Sequence, residues 1–151
     1  MRIAPSKKHK NGMMAAFLTR GVKFNVPFAA MPGWIHVTGD PLIPHDNSYQ
    51  CAIPGTTLII DAKGFDQSAG KAHFINDGLT NEPFCRIRQA PNGARYCLAY
   101  ALRDGKKGDE VETSYERDYW LRTAQWEKLT EQDKVKAADV YNICAPDMLI
   151  D

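Results

Sequence analysis

The 151 residues hold nineteen Lys and Arg against eighteen Asp and Glu, a formal net charge of +1, with 44% hydrophobic and 25% charged side chains. These proportions belong to an ordinary folded domain and exclude disordered, collagenous and low-complexity chains. They also lack the positive surplus on which sequence-independent nucleic-acid binding rests, and no apolar run approaches the roughly 20 residues of a membrane span.

A chain of this length predicts a single domain. No apolar stretch follows the charges of Met1-Arg2-Ile3-Ala4-Pro5-Ser6-Lys7-Lys8, so no secretory signal is visible and an intracellular place, nucleus or cytoplasm, is expected. The four cysteines (Cys51, Cys85, Cys97, Cys144) form no C-x-x-C pair, and His9, His36, His45 and His73 form no H-x-x-x-H or H-x-E set. Reduced, mostly buried thiols and no structural metal are expected.

Up to about Tyr115, short apolar runs are broken by Gly, Pro and Asn, a pattern of many short strands and tight turns. The runs predict strands at Val22 to Phe28, Trp34 to Val37, Thr57 to Ile60, Ala72 to Ile75, Cys85 to Arg88, Arg95 to Ala101 and Glu110 to Ser114. Leu42 to Asn47 and Lys63 to Lys71 predict long loops. Pro91-Asn92-Gly93 lies between strand-like runs and predicts a hairpin. From Glu116 onward, Tyr119, Trp126 and Leu129 can share one helical face, and Thr130 before Glu131, Gln132 and Asp133 reads as an N-cap. Two short helices are predicted, with Pro146 stopping the second. The whole is mostly β with a short helical tail.

Three segments stand out, in this order. Lys10-Asn11-Gly12-Met13-Met14-Ala15, followed by Gly21, is a turn entering a strand. Ile59-Ile60-Asp61-Ala62 precedes Gly70-Lys71-Ala72-His73-Phe74-Ile75-Asn76-Asp77-Gly78. Gly108-Asp109-Glu110-Val111-Glu112-Thr113-Ser114-Tyr115 follows Ala99 to Arg103, and continues as Glu116-Arg117-Asp118-Tyr119-Trp120.

Together these resemble the SET-domain family of protein-lysine methyltransferases. The first is similar to the family's G-x-G-hydrophobic-aromatic-Ala turn, the second to I-D-A followed by A-R-F-I-N-H-S, and the third to G-E-E-L-T-x-x-Y. The continuation looks like short viral members, which have no pre-SET or post-SET zinc cluster; a viral chain would act in a host cell. The resemblance implies a β-clip architecture of several small sheets with a knot-like crossing over residues 1–126. Residues 127–151 would be a helical extension packed on it.

The resemblance also implies S-adenosylmethionine as cofactor, held by Asn11, Gly12, Met13, Asn76 and Asp77, with Tyr115 as the catalytic tyrosine and Tyr49 lining a lysine channel. Tyr119, Trp120 and Trp126 either cover the adenine or the channel mouth, or pack the helices. The implied partner is a protein carrying a lysine; histones are the family's best-known targets. Three departures stand out: Lys10 replaces the first glycine, Asp77 replaces a histidine, and Gly78-Leu79-Thr80-Asn81-Glu82 replaces S-C-x-P-N. Such changes also suit a scaffold that has lost catalysis and serves as a protein-interaction module.

The chemistry explains the residue types. Methyl transfer from a sulfonium to a lysine amine is an in-line displacement, so alignment of nitrogen, carbon and sulfur supplies much of the rate. The amine must be neutral, and an apolar, aromatic-walled channel beside a sulfonium disfavours the ammonium form. A tyrosine hydroxyl can orient the amine while carbonyl oxygens contact the polarised methyl group. Lys7 to Lys10 and Arg103 to Lys107 are the basic clusters, read as solvated loops; the first adjoins the cofactor turn and could alternatively attract an acidic partner. Nothing in the sequence specifies the oligomeric state.

Overall fold

The computed structural model describes residues 1–9, 12–41, 49–53, 55–66 and 68–144. Among the described residues, ten short strands precede two α-helices: β1 (Arg2–Pro5), β2 (Met14–Phe17), β3 (Pro27–Ala30), β4 (Trp34–Val37), β5 (Gln50–Ala52), β6 (Leu58–Asp61), β7 (Asn76–Asp77), β8 (Cys85–Gln89), β9 (Cys97–Ala101) and β10 (Glu110–Thr113), then α1 (Glu116–Arg122) and α2 (Glu131–Tyr141). The chain is thus mostly β, in three small sheets ordered β1-β2-β10-β7, β3-β9-β8 and β4-β6-β5, with short C-terminal helices.

The first sheet gathers strands from all three chemistry-bearing segments: β2, β7 and β10. β2 lies between β1 and β10, antiparallel to both, and its Ala15, Ala16 and Phe17 are all buried. On its far edge β10 pairs in parallel with β7, placing Glu112 opposite Asn76 and Thr113 opposite Asp77. A parallel pair requires a long connection, here the whole β8–β9 hairpin. That hairpin turns through Asn92 and Gly93, both in the left-handed region at φ +64° and +68°, as the Asn-Gly pair predicts.

The main core joins the three sheets through Leu18, Ile53, Ile60, Ile75, Phe84 and Val111. Phe84 meets Phe28 edge to face, ring centroids 5.7 Å apart. A second, smaller cluster joins Leu79 to the helices through Trp120, Ala137 and Ile143, with Tyr115, Tyr119, Trp126 and Tyr141 packed against it. α2 begins at Thr130, whose hydroxyl accepts from the Asp133 amide at 3.1 Å, the predicted N-cap.

Several local expectations are corrected. Ala72 to Ile75 is not a strand: Ala72–Phe74 forms a turn of 3-10 helix, since Ala72 is fully buried against the core and only Asn76–Asp77 reaches β10. Val22 to Phe28 is not one strand either; Val22 makes a single bridge to Gly105, Asn25 and Val26 bond the backbone of Ala101, and the regular ladder with β9 runs from Pro27. β1, β2 and β5 lack a clear alternation in the sequence and form because neighbours supply their pairing. Cys144 is exposed rather than buried, whereas Cys85 and Cys97 are buried, and none of the four is in a disulfide. The predicted loop at Leu42 to Asn47 and the stop at Pro146 lie outside the described residues. No described helix is long and apolar enough to cross a membrane.

Candidate active site

The parallel pairing of β7 and β10 brings the second and third segments side by side. Thr113 ends β10 opposite Asp77, and the next turn carries Tyr115 back over β7. The Tyr115 amide donates to Asp77 Oδ2 at 2.9 Å, and the Tyr115 hydroxyl donates to the Ile75 carbonyl at 2.9 Å. One three-residue stretch therefore holds this tyrosine at both its backbone and its phenol end.

The ring is enclosed by Tyr119 and Trp120, at centroid distances of 4.5 and 5.9 Å. Burial raises its pKa well above the ordinary tyrosine value, and Tyr119, the Asp77 charge and Tyr49 push it the same way. The phenol is therefore protonated at neutral pH. Because its hydrogen is committed to Ile75, the oxygen offers lone pairs to an incoming donor. Tyr49, just before β5, is 45% exposed and acts electrostatically on the Tyr115 phenol.

The side chain of Asp77 is 5% exposed and wholly engaged within the protein. Its Oδ1 accepts from the Leu79 amide at 2.7 Å, while Oδ2 accepts from the Tyr115 amide, from Trp120 Nε1 at 3.1 Å and from the Tyr141 hydroxyl at 2.5 Å. Burial, and then this bond, raise the Tyr141 pKa, and its hydroxyl also meets Ser114 Oγ at 3.1 Å. Asn76 faces the other way: its Nδ2 donates to the Met14 carbonyl at 2.9 Å and ties β7 to the entrance of β2.

Beside this knot lies a cavity of about 450 Å³ lined by Lys8, His9, Gly78, Leu79, Thr80 and Glu82, with Arg103, Glu112, Asp133 and Lys136 closing it. Its walls are the residues just before the first segment, those just after Asn76 and Asp77, one side chain of β10, and α2. Lys8 Nζ meets Glu112 Oε2 at 2.9 Å, and the Glu112 carboxylate is largely buried. His9 Nε2 is buried with no hydrogen-bond partner. Small-molecule sites commonly measure about 300–1,000 Å³, and mixed cations and anions in the walls suit a ligand that itself carries both charges.

Of the residues singled out in the sequence, Asp77, Tyr115 and Trp120 come together at the Asp77 carboxylate, Asn76 is turned away to Met14, and Tyr49 acts on the Tyr115 phenol electrostatically. Trp120 is buried in the helical cluster, its indole spent on Asp77. Gly12 lies at φ +75° and Met13 is 40% exposed, both just before β2, whereas Asn11 lies outside the described residues. The basic clusters are less free than a solvated loop: besides Lys8, Arg103 donates to the Glu82 and Pro83 carbonyls. Sequence reasoning passed over Tyr141 and Lys136, and gave Ser114 and His9 no role of their own. Tyr141 had no motif to mark it, because only the return of α2 brings it to Asp77.

No family model matches the chain, and no curated protein matches its sequence. Among solved structures, a Plasmodium falciparum protein named as a candidate histone methyltransferase is similar at a TM-score of 0.51 and 19% identity, over 76% of this chain and 96% of that one. At that identity the likeness is one of fold: this chain is built like a structure assigned to the methyltransferases.

Proposed function

We propose that this protein is a SET-type methyltransferase that transfers a methyl group from S-adenosylmethionine to a lysine side chain of a protein. The observation that carries the reading is the grip of residues 75–77 on Tyr115, which fixes a protonated phenol by its backbone amide and its hydroxyl and leaves the oxygen's lone pairs for a donor. The likeness of fold to a protein named as a candidate histone methyltransferase supports it.

Asn76, the backbone of Asp77, and Asn11, Gly12 and Met13 would hold the cofactor, and the adjoining cavity at Gly78 and Leu79, whose walls carry both charges as the cofactor's amino-acid end does, would offer it Lys8, His9, Glu112 and Lys136. When bound, the cofactor supplies an electrophilic methyl group on a positively charged sulfur. The rest falls to the protein. Tyr115 accepts a hydrogen bond from the lysine nitrogen and so orients the amine, since its own hydrogen is directed at Ile75. Tyr49 and Tyr119 wall the approach with aromatic surface, which disfavours the ammonium form and helps deliver the neutral amine. Tyr115 is no general base at neutral pH, because its pKa is raised, so the amine loses its proton before or on entering the site.

The substrate class proposed is a protein lysine, histones included, which would place the protein in the nucleus or cytoplasm. Isothermal titration with S-adenosylmethionine and S-adenosylhomocysteine, repeated on Asn76→Ala, tests the site, and Tyr115→Phe tests the chemistry. Stoichiometric binding weakened in Asn76→Ala, with transfer reduced to a low but measurable residual rate in Tyr115→Phe, is the expected result. A folded protein that binds neither ligand is a scaffold of this fold acting through protein contacts.

A further inference from the structure

We propose that the Asp77 carboxylate is a positioning group for Tyr115, a clamp that sets the phenol's orientation and locks both C-terminal helices to it. The proposal rests on the methyltransferase reading and goes beyond it by giving Asp77 a role through the protein rather than through the ligand. Four donors converge on a carboxylate that is 5% exposed: the Leu79 and Tyr115 amides, the Trp120 indole from α1 and the Tyr141 hydroxyl from the end of α2. Three of them share Oδ2. Bonds to an ionised oxygen are shorter and about twice as strong as neutral ones.

The chemistry at this position is specific to an anion. A carboxylate accepts at both oxygens and donates nothing. In Asp77→Asn the amide nitrogen must face either the Leu79 N–H or the three donors at Oδ2, so at least one donor meets another donor in a buried place. The histidine that this position resembles in the family cannot serve so many donors either. The acid and its partners, Trp120 and Tyr141, therefore form one device, and it includes a helix beyond the three matched segments.

The device bears on Tyr115 because residues 75 to 77 hold that residue twice. Asp77 takes its amide, and the Ile75 carbonyl takes its hydroxyl. Shifting the backbone at 115 swings the ring about its hydroxyl contact, and displacement of a reacting group by about 1 Å can cost about 100-fold in rate.

The test uses the full chain. In ligand-free protein, Asp77→Asn is expected to move the Tyr115 amide proton upfield in a ¹⁵N correlation spectrum, as a charge-assisted bond is lost. With core histones and a lysine-peptide library as substrates, the variant is expected to lose about 10- to 100-fold in kcat. The KM for substrate and the Kd for S-adenosylmethionine should stay within about threefold, as for an interaction realised only in the transition state. In a Tyr115→Phe background the same substitution is expected to cost nothing further, because its effect runs through that hydroxyl.

A merely structural role would lower kcat and cofactor affinity together, and would repeat its full cost on Tyr115→Phe; either result overturns the proposal. Should Asp77→Asn fail to fold, Tyr141→Phe decides. It keeps the carboxylate and removes one donor, and is expected to shift the Tyr115 amide and lower kcat several-fold at unchanged Kd; an unmoved amide overturns the clamp. Wild-type protein that neither binds the cofactor nor transfers methyl groups overturns the methyltransferase reading, and the proposal with it.

Discussion

A Cβ placed on Gly78 would lie 2.5 Å from Glu112 Oε2, so the bare backbone at one residue is what admits the carboxylate of the other. That carboxylate then meets Lys8 at 2.9 Å across the cavity wall. Gly78→Ala is expected to destabilise the fold by about 1–3 kcal/mol, the usual cost of overpacking. Glu112→Ala in the same chain should restore most of it, and urea denaturation of the two single variants and the double variant measures the coupling.

The Lys8 to Glu112 pair joins one largely exposed side chain to one largely buried. Its worth lies between that of surface and buried pairs, so Lys8→Met should cost about 1–2 kcal/mol. It should also make unfolding less sensitive to salt, since the pair's attraction is what ions screen. Urea midpoints at low and high sodium chloride, for wild type and variant, check both statements.

Glu116 stands directly after Tyr115 at φ +70°, a left-handed conformation unfavourable to any residue with a side chain. Its amide donates to Ser114 Oγ at 3.2 Å, which holds the turn that feeds α1. Glu116→Gly should relieve the strain and stabilise the protein by about 1 kcal/mol, with the Tyr115 geometry unchanged. A higher thermal midpoint at undiminished cofactor affinity is the expected outcome.

His73 supplies a pH dependence. Burial lowers its pKa, the hydrogen bond to the Phe65 carbonyl at 2.9 Å offsets this in part, and its Nδ1 is buried with no partner. The folded ring therefore resists a proton that the unfolded chain accepts near pH 6.5. As pH falls below that value the unfolded state binds more protons than the folded one, so stability declines until the folded ring titrates too. The urea midpoint should drop between pH 7.5 and 5.5, and His73→Gln, which keeps a donor for Phe65, should flatten that part of the profile.

Much of this protein could be read from the chain alone. The class, many short strands and then helices, follows from apolar runs broken by Gly, Pro and Asn. The Asn92-Gly93 turn and the Thr130 cap are local devices whose physics is complete within a few residues, and both stand where the sequence puts them. Asn76, Asp77 and Tyr115 stand out in the chain because they sit in ordered segments. What those side chains do was decided by packing. Ala72 to Ile75 looks like a strand but turns as 3-10 helix, since the one neighbour able to pair with it reaches only residues 76 and 77. Asp77 looks like a ligand contact and becomes a hub, because α1 and α2 return Trp120 and Tyr141 to it from 43 and 64 residues away. Contacts at such separations leave no local signature, since the pattern of a strand or cap depends on its neighbours in sequence and a convergence of donors depends on neighbours in space.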